Sequence, residues 1–373
     1  MTIHAMLDPN LSRQRQRRLL KAMNERRLDA AVVAAPHHVY YLSAFHPHWL
    51  QFAAMVLFAD GRSWLACGNS PAQGAAADEI ALYEATWNGT QRSEQPAIVA
   101  AQVRDVLKGA RAKTVAIDAS AVSAPLAMML AESAVLEPID PVLWQLRRVK
   151  DADELALMRR AIGCADAMYR RARQIVEPGV AEVDVYAELT AAAIRAAGEP
   201  LTAPLGNDYA CGVGGGPARP GRTARAGELY ILDVGPCYRH YFADACRAIS
   251  VDRNPTDAQH RAWQAIVDAL RLVESMARPG VRCRDLYAAV DEHLARHRDG
   301  GLPHHLGHGV GLQPHEYPHL NPKWDDVLME GEVFTAEPGL YGADLAGGIR
   351  LENLYRVTKS SAENMLSAPL EMT

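Results

Sequence analysis

Tyr230-Ile231-Leu232-Asp233-Val234-Gly235 is followed, after Pro236-Cys237-Tyr238-Arg239-His240-Tyr241, by Phe242-Ala243-Asp244-Ala245-Cys246-Arg247-Ala248-Ile249. Each outer run is strand-like and apolar, interrupted by one carboxylate, and the middle reads as a hairpin turn. Antiparallel pairing predicts Asp233 and Asp244 nearly opposite each other on one face, at cross-strand distances of about 5 Å. Two like charges that close are costly unless a cation holds them. Taken alone, the pair also reads as two solvated carboxylates at a sheet edge.

Further along, five of the 14 histidines fall within His304-His305-Leu306-Gly307-His308-Gly309-Val310-Gly311-Leu312-Gln313-Pro314-His315-Glu316-Tyr317-Pro318-His319. The glycines flanking His308 let the backbone pack close to whatever the imidazole meets. His315-Glu316-Tyr317-Pro318-His319 spells H-E-x-x-H, but that zinc signature needs a helix. Pro318 inside it and Pro314 before it argue against one. Two more carboxylates follow apolar runs, Glu337 in Val333-Phe334-Thr335-Ala336-Glu337-Pro338-Gly339 and Glu352 in Gly348-Ile349-Arg350-Leu351-Glu352-Asn353. Singly, each reads as a paired surface charge. Together, four carboxylates and one imidazole in strand-like settings describe a two-metal site, four negative charges against two divalent ions. Oxygen-rich ligation with one histidine suits Mn, Fe(II), Co or Zn rather than Cu.

The remainder of the 373 residues frames that site. The length predicts two or three domains, with ample core. Apolar residues at 49% and charged residues at 22% exclude a disordered chain, and a net charge of −5 offers no nucleic-acid footprint. None of the six cysteines forms C-x-x-C, so buried free thiols are expected. No apolar h-region follows the arginines at 13–18, and no run reaches the roughly 18 residues of a membrane span. A cytoplasmic location is the expectation.

Residues 1–146 alternate strands and helices: strands over 28–34, 54–58, 64–67, 114–118 and 135–139, and helices over 98–107 and 124–131. Asp60-Gly61 marks a hairpin. No glycine fingerprint follows any of these strands, so no nucleotide site is read there. After Leu146-Arg147-Arg148-Val149-Lys150, Asp151 with Glu154 forms a capping box for a helix to about Val176, ended by Glu177-Pro178-Gly179. Helices over 183–196, 257–277 and 283–296 and strands from 229 predict an α+β unit with an antiparallel sheet.

The ordered set resembles the M24 metallopeptidase family, the pita-bread fold of methionine aminopeptidases, prolidases, Xaa-Pro aminopeptidases and creatinase. Arg18-Leu19-Leu20 through Tyr40-Tyr41-Leu42-Ser43-Ala44-Phe45 resembles its creatinase/prolidase N-terminal domain, and Arg147-Arg148-Val149-Lys150 with Glu154 the start of its catalytic domain. The resemblance implies an α/β N-terminal domain over 1–146 and an α+β pita-bread catalytic domain with a curved antiparallel sheet over 147–373. By the same resemblance, Asp233 chelates one metal, Asp244 and Glu352 bridge both, and His308 and Glu337 bind the second. Glu337 falls where the family's proposed general base lies, and His315 matches the histidine at the substrate carbonyl. The implied reaction is attack by a metal-bridging hydroxide on an amide-like carbonyl, with the metals and His315 stabilising the oxyanion. Manganese is the first choice of metal, and a homodimer is implied.

Two departures from the family bear on substrate. The histidine usual before the first aspartate is absent: that stretch reads Gly212-Val213-Gly214-Gly215-Gly216-Pro217-Ala218-Arg219-Pro220, and no histidine occurs from 49 to 239. The glycines there can widen the pocket, and His46-Pro47-His48 of a second subunit is a candidate replacement. Where many prolidases place a carboxylate-binding arginine, this chain has His319; Arg350 is the next arginine, with support of the Glu352 strand as its first reading and substrate binding as its second. His319 and Arg350 are thus the substrate-binding candidates. Three functions are weighed: an Xaa-Pro peptidase; a non-peptidase acting on a small molecule by creatinase-like C–N hydrolysis or a metal-dependent lyase reaction; and a non-catalytic binding module. Neither nucleic acid nor a membrane is an expected partner.

Overall fold

The computed structural model describes residues 6–203, 206, 208–212 and 215–373. The glycine-rich stretch 212–216 is thus described except at 213 and 214. The chain divides into two compact units, Met1–Arg147 and Arg148–Thr373.

In the first unit, α1 (Pro9–Glu25) leads to β1 (Ala30–Val33), α2 (Pro36–Ser43), β2 (Ala54–Phe58), β3 (Ser63–Gly68) and β4 (Glu79–Tyr83). A small ribbon of β5 (Thr86–Trp87) and β6 (Thr90–Gln91) precedes α3 (Gln95–Gly109), β7 (Thr114–Ile117), α4 (Ala124–Ala131), β8 (Val135–Pro138) and α5 (Asp140–Arg148). Six strands form one sheet in the order β4-β3-β2-β1-β7-β8. β2 and β3 pair antiparallel across the Asp60-Gly61 turn, where Gly61 takes a left-handed φ of 88°. β1–β7, β7–β8 and β3–β4 are parallel, and the apolar strands β1, β2, β3 and β7 bury against α3 and α4.

The second unit opens on α6 (Ala152–Ile175), whose Asp151/Glu154 capping box is formed as its sequence predicts. Leu155, Met158, Ile162, Ala165, Tyr169 and Ala172 recur at helical spacing and are buried. Then follow α7 (Glu182–Ala197), β9 (Asp208–Cys211), β10 (Leu229–Val234), β11 (Cys237–Tyr238), β12 (Tyr241–Phe242), β13 (Ala245–Ser250), α8 (Asp257–Met276) and α9 (Cys283–Ala295). The chain finishes with β14 (Gly307–Gly309), β15 (Glu316–Leu320), β16 (Val333–Ala336), β17 (Gly339–Gly342), β18 (Gly347–Arg350), β19 (Asn353–Val357) and β20 (Ala362–Asn364). Every strand pairing described in this unit is antiparallel: β13-β10-β9, β11-β12, β15-β14-β16-β19-β20 and β17-β18. His315–His319 contributes to strand β15, not to a helix, as Pro318 requires. All six cysteines are free and buried. Among the described residues, no helix is long and apolar enough to cross a membrane.

The hairpin register differs from the expectation. Asp233 lies opposite Cys246, not Asp244. Gly235 and Pro236 interrupt the ladder, and a separate two-stranded ribbon, β11–β12, forms beyond them, with the Ala243 N–H donating to the Pro236 carbonyl at 3.0 Å. Asp244 therefore stands just before β13, two residues from Cys246 and on its face.

Glu182, at the start of α7, locks β9 in place. Its fully buried carboxylate accepts from the Cys211 N–H (2.9 Å), the Cys211 thiol (3.2 Å), and the Arg219 N–H (2.7 Å), Nε (3.0 Å) and Nη2 (2.6 Å). Burial pushes its pKa up, but the Arg219 and Cys211 hydrogen bonds outweigh burial and lower it from 4.5 to about 2. A depressed pKa contributes stability that is present above pH 4.5 and lost as pH falls through about 2. Glu182→Gln is expected to lower the midpoint of chemical unfolding at neutral pH. The gap to the wild type should close as the acid limb is descended. Equal midpoints at neutral pH would count against this lock.

Candidate metal centre

The register gathers the carboxylates. Cys246 pairs with Asp233 on one side and bridges to Glu352 on the other, with the Glu352 N–H donating to the Cys246 carbonyl at 2.9 Å. Residues facing one another across a sheet share a face, so Asp233 and Glu352 meet the Asp244 side chain there. One oxygen from each of the three carboxylates lies within 4.8 Å of the others. The surroundings fix this arrangement. The Tyr169 hydroxyl donates to the Ala245 carbonyl at 2.5 Å, tying α6 to the backbone beside Asp244. The guanidinium of buried Arg247 holds the Glu352 carbonyl (2.5 Å), Asn353 Oδ1 (2.9 Å) and the Ala368 carbonyl (2.8 Å).

His308 enters from β14. A Cβ at Gly307 would stand 2.0 Å from the Thr335 carbonyl oxygen, and one at Gly309 would stand 1.8 Å from that of Tyr317. Only glycine permits this close packing, as the sequence suggested. His308 Nδ1 lies 3.1 Å from the Gly309 carbonyl, which can only accept, so Nδ1 carries the proton. Burial lowers the ring's pKa to about 4, although Glu337 opposes it. The neutral ring therefore presents the Nε2 lone pair, the form in which imidazole binds a metal. That atom faces Glu337 Oε1 at 3.5 Å and Asp244 Oδ2 at 3.8 Å.

Asp233, Asp244, His308, His315, Glu337, Arg350 and Glu352 all line one cavity of about 260 Å³, together with Asp208, His304 and His305. The His315 ring stacks on His308 with centroids 3.6 Å apart. Arg350 Nη2 pairs with Asp233 Oδ2 at 2.7 Å and with Asp208, and its Nη1 reaches the Tyr341 hydroxyl at 3.3 Å. His319 is placed otherwise. It is not among the cavity-lining residues; Asp326 takes its Nδ1 at 2.9 Å and Trp324 stacks on its ring. The Asp326 carboxylate, which also accepts the His319 N–H at 2.8 Å, holds the ring there. His46 packs edge-on against Tyr40, and His48 Nδ1 accepts the Leu50 N–H at 3.2 Å.

Asp208, His304 and His305 carry no role in the sequence reading. Asp208 opens the short run Asp208-Tyr209-Ala210-Cys211, its only signal in the sequence. His304 and His305 were visible only as members of the histidine cluster. His304 Nδ1 donates to the His305 carbonyl at 2.8 Å, so its Nε2 accepts from the Tyr341 hydroxyl at 2.9 Å.

The electrostatics test whether the donors suit cations. Burial first, and then the charges of Asp233 and Glu337, hold the Asp244 carboxyl well above the usual range. Glu352 is raised by burial and then by Asp244 and Glu337, and Asp233 by burial, with Arg350 opposing. Such mutual repulsion is what bound cations relieve. Four oxygen donors and a lone-pair imidazole therefore fit divalent metal ions.

Comparison with known proteins agrees. Residues 156–359 match the model of metallopeptidase family M24, and residues 15–149 match that of the creatinase/prolidase N-terminal domain. The fold and site define a metal-dependent hydrolase. The chain belongs to metallopeptidase family M24. It is 26% identical over 371 residues to an Xaa-Pro dipeptidase of Pyrococcus furiosus, covering 96% of this chain and 99% of that one. Among solved structures, an Xaa-Pro dipeptidase from Bacillus anthracis superposes with a TM-score of 0.84 at 23% identity, over 97% of this chain and 99% of that one. The prolidase of Pyrococcus horikoshii gives 0.80 at 23% identity, over 96% and 100%. These matches establish the pita-bread fold with its α/β N-terminal domain.

Proposed function

We propose that this protein is a dinuclear Xaa-Pro peptidase of the aminopeptidase or dipeptidase type, acting on small peptides. The carrying observation is the convergence of Asp233, Asp244, His308, Glu337 and Glu352, from separate strands and strand ends, on one cavity. Asp233 would hold one ion, His308 and Glu337 the other, and Asp244 and Glu352 would be shared between them. Manganese is the first candidate, with cobalt, iron(II) and zinc behind it. The peptidase names of the relatives favour this reading over the small-molecule lyase, the creatinase-like hydrolase and the non-catalytic module. Residues 1–146 form the creatinase/prolidase-like domain and 147–373 the catalytic one. We place the enzyme in the cytoplasm as a homodimer.

Bound divalent ions supply an activated water at neutral pH and polarise the scissile carbonyl. The chain's own groups do the rest. Glu337 accepts the proton of the attacking water and passes it to the leaving nitrogen. His315, on the exposed side of His308, donates to the carbonyl oxygen as negative charge grows there. Arg350 holds the Asp233 carboxylate in one orientation. With that guanidinium engaged and His319 bound to Asp326, neither is free to grip a dipeptide's carboxylate, so longer Xaa-Pro peptides should be preferred.

The test is hydrolysis of Xaa-Pro dipeptides and longer Xaa-Pro peptides by metal-stripped protein reloaded with each candidate ion. Cleavage with manganese, faster on longer peptides, is expected. Two bound ions per chain without cleavage of any peptide would overturn the proposal.

A further inference from the structure

A sixth side chain points at the same metal position. Leu306, between His305 and Gly307, is pinned on both sides: its N–H donates to the Leu320 carbonyl at 2.9 Å, and its carbonyl accepts the Glu337 N–H at 2.8 Å. Glu337 is thus the backbone neighbour of the His305–Leu306 segment, and its side chain meets that of His305. His305 Nε2 lies 2.9 Å from Glu337 Oε1, the same oxygen that His308 Nε2 approaches at 3.5 Å. The three donor atoms lie within 4.8 Å of one another. Ligands each about 2.1 Å from one ion stand up to about 4.2 Å apart. Both contacts to Glu337 Oε1, 2.9 and 3.5 Å, fall inside that range, and no pair of the three exceeds it by more than about 0.6 Å.

We propose that His305 is an additional ligand of the ion held by His308 and Glu337. The inference rests on the metal-site reading above. It makes the two positions chemically unequal. One is ringed by the carboxylates of Asp233, Asp244 and Glu352, which suits manganese. The other, with two imidazoles, suits cobalt, iron(II) or zinc. Two adjacent ions of different softness follow from an i, i+3 histidine pair set on a pinned strand entry.

Cobalt-loaded wild-type protein should be crystallised, and cobalt binding by His305→Ala followed by calorimetry and visible absorption. His305 Nε2 is expected at about 2.1 Å from a cobalt ion. His305→Ala should weaken one of the two cobalt sites more than the 10–100-fold cost of losing an outer hydrogen bond, and change the cobalt absorption bands. If Nε2 stays on Glu337 beyond ligand distance, and His305→Ala keeps the wild-type spectrum, the inference is overturned while the five-ligand site stands. Wild-type protein that takes up no cobalt at all overturns both.

Discussion

Asp244→Asn is expected to abolish metal uptake and peptidase activity together, and to stabilise the metal-free protein. Asp244 alone supplies a donor atom both to the Asp233–Glu352 group and to a group with His308 and His315. In the proposed site, losing it removes a charged ligand shared by both ions, so activity should fall at least about 10³-fold, a loss of roughly 4 kcal/mol of transition-state stabilisation. Metal at a thousandfold excess over its Kd stabilises a folded protein by about 4 kcal/mol. The wild-type Tm should climb accordingly when manganese is added, whereas the variant's should stay flat.

Without metal the sign reverses. Asp244's pKa is raised by burial and by the Asp233 and Glu337 charges above its ordinary 3.8. The folded chain therefore holds a proton that the unfolded chain releases. That contribution to stability is fully present below pH 3.8 and is lost as pH rises through the folded value. Asparagine carries no such charge. In chelator-treated protein the variant should melt above the wild type at about pH 8, with the difference vanishing toward pH 3.8. Thermal melts at both ends of that range, with and without manganese, read the whole prediction. A variant that still takes up two ions would sink the shared-ligand role.

How far the chain could be read depended on whether a feature was local. The Asp151/Glu154 capping box and the Asp60-Gly61 turn are written within a few residues, and both form as read. The glycines beside His308 were legible because close backbone approach leaves a residue-level trace. Pairing across the Asp233 hairpin was not. Pro236 breaks the ladder, and the inserted β11–β12 ribbon shifts Asp244 out of register, an event set by two nested turns and not by either strand. Asp208 and Arg350 stand 142 residues apart in sequence, so nothing local announces their pairing. His305 was hidden differently: the cluster was conspicuous, but only the backbone bond between Leu306 and Glu337 selects His305 over its neighbours.

Arg350 carries the second large effect. Its side chain is 12% exposed, pairs with Asp233 at 2.7 Å and with Asp208, and sets Nε 3.9 Å from Glu337 Oε2. Burial alone would lower its pKa, but surrounding negative charge, that of Asp233 included, raises it, so the group is a permanent cation. Arg350→Met keeps much of the volume and removes that cation from among buried carboxylates. Removing one partner of a buried ion pair costs about 3–5 kcal/mol, because the other charge is left uncompensated. Urea unfolding of the metal-free variant at neutral pH should show a loss of that size. Arg350→Lys should recover only part of it, since one ammonium cannot replace the planar fork that reaches Asp208, Asp233 and the Tyr341 hydroxyl together. Manganese should restore some stability to Arg350→Met by supplying the missing positive charge, but with weaker affinity, because Asp233 is no longer oriented. A purely structural arginine gives a different pattern, in which stability falls while manganese affinity in the folded variant stays at the wild-type value. The two patterns separate in one titration of the folded protein.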